Sequence, residues 1–196
     1  EMKKDSMYED VDAVWTDLNN DGNIDLVIAG GGNEYYGNDY HLSPRVYLND
    51  GKARFRRVGT WGSPEWTTRN AAAADLNGDG WPDIIAANRG GQSYVCLNDG
   101  AGRFDAHPCT VIAAESATII VPGDFNHDGA IDLAVPHRDG GQSRIFLNDG
   151  QAGFTRTLAF GPPVTNARAA AAGDLNGDGW LDLVVGDERT GTRVYL

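Results

Sequence analysis

The chain is 196 residues long and carries 28 acidic against 16 basic side chains, a formal net charge of −12. No basic patch interrupts that acidity, which argues against nucleic acid as a partner. No apolar run approaches the ~18 residues that a spanning helix needs, so no membrane span is expected, and the two cysteines, Cys96 and Cys109, show no C-x-x-C or Cys/His zinc spacing.

From the N-terminus onward, short apolar runs alternate with turn signals. Residues 12–15 read as a first strand and run straight into Asp17-Leu18-Asn19-Asn20-Asp21-Gly22-Asn23-Ile24-Asp25. A second strand follows at once from Asp25. A Gly-rich connection then leads to a third strand at residues 45–48 and to Asn49-Asp50-Gly51. Asp-Gly between strands is a strong hairpin signal, and a fourth strand is expected to start near Phe55. The plan repeats with first strands at 71–74, 119–123 and 169–173 and third strands at 94–97, 144–147 and 193–196. Asn98-Asp99-Gly100 and Asn148-Asp149-Gly150 recur as turns, with fourth strands expected near Phe104 and Phe154. The alanines at 71–74 and 169–172 would favour a helix by propensity alone. We read them as strands because the Asp-rich loop follows immediately and small residues suit an innermost strand.

The nine-residue loop occurs four times as D-x-N-x-D-G-x-x-D, starting at Asp17, Asp75, Asp124 and Asp174. The spacings are 75 − 17 = 58, 124 − 75 = 49 and 174 − 124 = 50 residues. A repeat of this length made of short strands, with almost no helical periodicity, is a propeller-blade pattern. The expected fold is all-β: a β-propeller of four-stranded antiparallel blades. Its repeats fall at approximately 1–58, 59–107, 108–158 and 159–196, the last one incomplete.

The loop has a chemical logic. Oxygens at positions 1, 3 and 5 of a tight turn converge, glycine at position 6 permits the sharp reversal, and the Asp at position 9 closes the shell. Hard oxygen donors without His or Cys suit Ca²⁺ better than zinc or copper, and better than Mg²⁺, which keeps its waters. The candidate side-chain ligands are Asp17, Asn19, Asp21 and Asp25; Asp75, Asn77, Asp79 and Asp83; Asp124, Asn126, Asp128 and Asp132; and Asp174, Asn176, Asp178 and Asp182. Asn23, Trp81, Ala130 and Trp180 would add a backbone carbonyl from position 7. The plain alternative is four acidic β-turns. The loop is not an EF-hand, since position 12 is Ile28, Ala86, Val135 or Val185 rather than Glu. The loops hold 4 × 3 = 12 of the 28 acidic residues, and four Ca²⁺ would bring the net charge from −12 to −4.

Three further features stand out. From Asp25 to Asn49 the separation is 24 residues, against 15 from Asp83 to Asn98, so the first repeat carries about nine extra within residues 30–44. The insertion includes Asn33, Glu34, Tyr35, Tyr36, Asp39, Tyr40 and His41, and is either a binding loop or merely a packing or disordered one. Cys96 and Cys109 are either a disulfide, suited to an oxidising compartment, or two unpaired buried thiols; a simple hairpin around Asn98-Asp99-Gly100 would set Cys96 near Asp105 instead. Leu196 falls where Asn-Asp-Gly follows in the other repeats. The last repeat is therefore expected to lack its fourth strand, leaving a piece of a larger propeller or open edges that pair with another copy.

These residues resemble the FG-GAP/VCBS repeats, the calcium-loop propeller repeats of integrin α-subunits and many secreted bacterial proteins, over nearly the whole chain. The resemblance implies calcium ligands at positions 1, 3, 5 and 9 of each loop and a backbone oxygen at position 7. The Phe-Gly and Gly-Ala-Pro segments that name the family are only loosely present, as in Phe160-Gly161-Pro162.

Three functions compete. The first is an extracellular, non-enzymatic adhesion or ligand-binding module with structural Ca²⁺. It would recognise a protein or carbohydrate through the insertion and the loops 89–93 and 138–143, with Trp61 and Trp66 either stacking on a sugar or packing between blades. The second is a structural subunit that self-assembles through open edges into a closed oligomer or filament. The third, a propeller lyase or hydrolase, has little support: no G-x-S-x-G occurs, and His41, His107, His127 and His137 show no metal spacing. His127, at a non-ligand position of the third loop, is expected to face solvent.

Overall fold

A computed structural model describes residues 10–30, 43–106 and 108–196. Fifteen strands form four antiparallel meanders, with no helix among the described residues. The first sheet runs β1 (Asp10–Thr16), β2 (Asp25–Gly30), β3 (Arg45–Asn49) and β4 (Phe55–Thr60). The second contains β5 (Thr68–Ala74), β6 (Asp83–Asn88), β7 (Gln92–Cys96) and β8 (Thr110–Glu115). The third contains β9 (Val121–Gly123), β10 (Asp132–Val135), β11 (Ser143–Leu147) and β12 (Arg156–Phe160). The fourth has three strands, β13 (Ala167–Gly173), β14 (Asp182–Asp187) and β15 (Gly191–Tyr195).

The alanine-rich segments are strands, because tertiary packing overrides helix propensity. Ala71 to Ala74 pair with Ala86 to Asp83 in the β5–β6 register, and both faces of β5 are occupied. Ala71 and Ala73 pack with residues of the first sheet, Ala72 and Ala74 with residues of the third. First strands of successive sheets are neighbours, β1 beside β5, β5 beside β9 and β9 beside β13. Small side chains let these strands crowd together. At Gly123 an added Cβ would lie 2.6 Å from Leu181 Cδ1, so a side chain there would displace Leu181.

The core lies between sheets rather than within one. Val27, Val46, Ile84 and Ala86 fill the space between the first and second sheets, and Ile85, Val95, Leu133 and Val135 that between the second and third. Ala134, Leu183 and Val185 belong to the layer between the third and fourth. Successive residues of β6 thus serve opposite layers, which is why its whole length is buried and its sequence reads as an unbroken apolar run.

Three details differ from the sequence reading. The second sheet's last strand starts at Thr110, six residues after Phe104, which sits buried in the core before it. The third sheet's last strand starts at Arg156, just past Phe154. Counted by sheet, the first three repeats close at residues 60, 115 and 160, beyond 58, 107 and 158. The delayed β8 also resolves the cysteines: Thr110 sits opposite Val95, which brings Cys109 to Cys96, and the two form a disulfide. The short hairpin that would have set Asp105 there does not occur. The insertion between 31 and 42 and His107 lie outside the described residues.

Candidate metal centre

The four Asp-rich loops are the β1–β2, β5–β6, β9–β10 and β13–β14 turns, all at one end of their sheets. They share one hydrogen-bond frame. The position-1 carboxylate accepts the position-6 glycine N–H at 2.8, 2.9, 3.0 and 3.0 Å in the four loops. That glycine has φ of +85°, +89°, +88° and +91°, a conformation that disfavours any side chain. The Asn at position 3 accepts the position-5 N–H and donates its own amide to the position-5 carboxylate. The position-5 carboxylate accepts the position-7 N–H at 2.8–2.9 Å. Asp17 and Asn19 oxygens lie 3.1 and 3.2 Å from the same nitrogen, that of Asp21. In the first loop, positions 1 and 3 thus share the backbone N–H of position 5.

Position 9 is different in kind. Asp25, Asp83 and Asp132 are fully buried and Asp182 nearly so. In every loop one carboxylate oxygen accepts the position-2 N–H, from Leu18, Leu76, Phe125 or Leu175, at 2.8–3.1 Å. In the first three the other oxygen accepts the N–H of Asn49, Asn98 or Asn148 at 2.8–2.9 Å. Asp182 Oδ1 is buried without a partner among the described residues. Burial pushes Asp25, Asp83 and Asp132 above the usual carboxylate range, Asp83 to about 6, and the position-5 and position-1 carboxylates reinforce the rise. The exposed Asp21 and Asp128 are held below that range by the position-7 N–H, and Asp174 by the Gly179 N–H.

Each loop thus holds three carboxylates and an amide oxygen with no Lys or Arg in the nine residues. Among the described residues no three His, Cys, Asp or Glu side chains close on one point, because position 9 is turned onto its backbone donors. A carboxylate oxygen that accepts one N–H keeps a second lone pair. The donor set, all hard oxygen, fits a divalent cation of the calcium type. An open cavity of about 590 Å³ beside Asp75, Asp128, Asp149 and Arg156 leaves the second and third loops accessible.

Alignment with known families settles what kind of repeat this is. The profile described as FG-GAP-like repeat matches residues 17–86, 75–135 and 124–185, so the matches together span the four loops. The chain belongs to the FG-GAP-like repeat family. Among curated proteins, integrin alpha-7 of Homo sapiens is 36% identical over 77 residues, 33% of this chain and 6% of the relative. The Mus musculus integrin alpha-7 is 34% identical over the same length and shares. The chain therefore spans only a small part of the curated relatives that it matches. In structure it is similar to a chain of the Photorhabdus luminescens Tc holotoxin pore, with a TM-score of 0.56 and 23% identity over 93% of this chain and 9% of that one. It is also similar to the V. cholerae biofilm matrix protein Bap1, with a TM-score of 0.50 and 20% identity over 94% of this chain and 30% of that one.

Several residues of this FG-GAP-like chain escape a reading by motif. Position 4 also adopts positive φ, at Asn20 (54°), Gly78 (75°), His127 (58°) and Gly177 (77°), a need that only the two glycines advertise. His127 is exposed, as expected, but it stacks on Trp180 of the next loop with ring centroids 4.0 Å apart. Trp61 is buried and donates Nε1–H to the Ile28 carbonyl, while Trp66 stacks on Tyr94, so both pack rather than stand free for a sugar. The turns at 89–91 and 138–141 lie at the opposite end of the sheets from the Asp-rich loops. There His137 Nδ1 accepts the Asp139 and Gly141 N–H groups and Ser143 Oγ accepts the His137 N–H, so this Ser/His pair builds a turn.

Proposed function

We propose that the chain is an extracellular calcium-binding β-propeller module whose cations are structural and whose task is adhesion or ligand binding, with proteins and carbohydrates as the candidate ligands. The observation that carries this is the fourfold repetition of one loop frame that sets three carboxylates and an amide oxygen within nine residues. In each loop, positions 1, 3, 5 and 9 supply side-chain oxygens and position 7 a carbonyl. A bound divalent cation supplies charge neutralisation; the chain's own backbone N–H groups orient the carboxylates. The disulfide suits an oxidising compartment, and the similarity to integrin alpha-7 and to a biofilm matrix protein favours a surface or matrix setting. We assign no catalytic role.

Calorimetric titration tests the reading. Binding near four Ca²⁺ per chain, reduced by one in Asp79→Ala and not reproduced by Mg²⁺, is the expected result. No binding up to about 1 mM calcium, the weak end for extracellular modules, would overturn it.

A second reading, self-assembly through open edges, rests on the fourth sheet. Its outer face exposes Leu175 (58%), Val194 (53%) and Leu196 (83%), whereas Leu18 and Leu76, the counterparts of Leu175, are fully buried by the next sheet. Molar mass by light scattering, in calcium and in chelator, tests it; a monomer in both would dismiss it.

A further inference from the structure

The hydrogen bonds that hold the position-9 aspartates do not stop at sheet boundaries. Asn98 donates one side-chain N–H to the Pro82 carbonyl in its own loop (3.0 Å) and the other to the Leu18 carbonyl in the loop of the first sheet (2.8 Å). Asn148 repeats this one sheet further on, to Ile131 O (3.0 Å) and to Leu76 O of the second sheet's loop (2.8 Å). Their amide oxygens accept turn N–H groups, from Gly100 and Gly102 in one case and Gly150 in the other. Both side chains are buried. A β-turn at Asn-Asp-Gly needs none of the contacts to the preceding sheet.

Joined to the bonds already described, these contacts make one continuous path. Asp25 holds the Leu18 N–H, the Leu18 carbonyl holds the Asn98 side chain, and the Asn98 N–H holds Asp83. Asp83 holds the Leu76 N–H, the Leu76 carbonyl holds the Asn148 side chain, and the Asn148 N–H holds Asp132. Among the described residues the path ends there: the fourth loop's Asp182 has Leu175 N–H on one oxygen and nothing on the other.

We propose that Asn98 and Asn148 are positioning residues that couple the first three loops, so that ordering one loop raises the cation affinity of its neighbour. The affinity part rests on the calcium reading above; the coupling of the loop frames does not. A carboxylate fixed in one loop fixes an Asn backbone, whose side chain fixes the position-2 carbonyl of the previous loop, and the same residue's N–H fixes the previous carboxylate. Such coupling is reciprocal by linkage.

The test has two arms. In chelator, amide hydrogen exchange is followed in Asn98→Ala and Asn148→Ala. Each variant should speed exchange of the position-2 amide one sheet away, Leu18 for the first and Leu76 for the second, by roughly fivefold, the scale of one net hydrogen bond. Asn148→Ala should leave Leu18 at its wild-type rate. Equal acceleration of both amides by both variants, or an unchanged Leu18 in Asn98→Ala, would overturn the proposal. In the second arm, NMR signals of Gly22, Gly80, Gly129 and Gly179 follow each loop of the wild-type chain through a calcium titration, so nothing depends on a variant folding. The first three should saturate together with a slope above one. Binding with four independent curves sinks the coupling alone. No binding at all sinks the calcium reading and the coupled affinities with it, leaving the exchange arm to decide whether the frames are linked.

Discussion

Asp83 and Asp79 belong to the same loop, yet the structure gives them opposite duties, and alanine substitution separates them. Asp83 is fully buried and accepts the Leu76 and Asn98 N–H groups at 3.0 and 2.9 Å. Replacing it leaves two buried donors without partners, about 1–3 kcal/mol each. Removal of a carboxylate raised from 3.8 to about 6 returns about 3 kcal/mol at pH 7. The net cost of Asp83→Ala in chelator at pH 7 is then about −1 to +3 kcal/mol. Its pH dependence is the sharper signature. Because the folded pKa is raised, the stability tied to Asp83 is fully present below about 3.8 and is lost as pH rises through about 6. The wild type therefore loses about 1 kcal/mol between pH 5 and 7 that the variant does not lose. The penalty of Asp83→Ala should be larger at pH 5 by that amount, a difference of about 2–4 °C in Tm for a chain of this size. Asp79 is exposed and bonded only within its loop, to Trp81 N–H and the Asn77 amide. Asp79→Ala should cost about 0.5 kcal/mol or less in chelator and much more in calcium. Calorimetric melting at the two pH values, with and without calcium, reads all of this. A penalty for Asp83→Ala that stays constant or grows from pH 5 to 7 would refute the reasoning.

Other predictions are independent of the metal. Asp187 accepts N–H groups of Asn166, Arg189 and Thr190, led by Asn166, and sits at about 2; its contribution is present above about pH 4 and is lost as pH falls through 2. Asp187→Asn should flatten the acid limb of a melting-versus-pH curve, and an unchanged limb would contradict that. Reduction of Cys96–Cys109, which closes a separation of 13 residues, should cost about 3 kcal/mol by the chain-entropy estimate, and melting with and without reductant measures it. Exposed Ala53 is held at φ 54°, so Ala53→Gly should stabilise by about 0.5–1 kcal/mol in denaturant unfolding despite glycine's greater entropy in the unfolded chain.

The amino-acid sequence by itself determined the repeat length, the strand order within each sheet, and the loop that every sheet turns on. Those are local properties: a period of two along a strand, an Asp-Gly reversal, a glycine forced to positive φ at Gly22, Gly80, Gly129 and Gly179. Even the incomplete fourth sheet was legible, because its plan could be laid beside three copies. What the sequence did not separate was the two kinds of aspartate. Asp79 and Asp83 are the same letter four residues apart, and only the packing of β6 between two layers buries one and leaves the other in water. Nor did it reveal the Asn98 and Asn148 bridges, which span 80 and 72 residues of sequence and exist only because successive sheets stack face to face. The constancy of Asn before Asp-Gly in three turns was the available sign. The Cys96–Cys109 bond depended likewise on where β8 begins, at Thr110, beyond the buried Phe104.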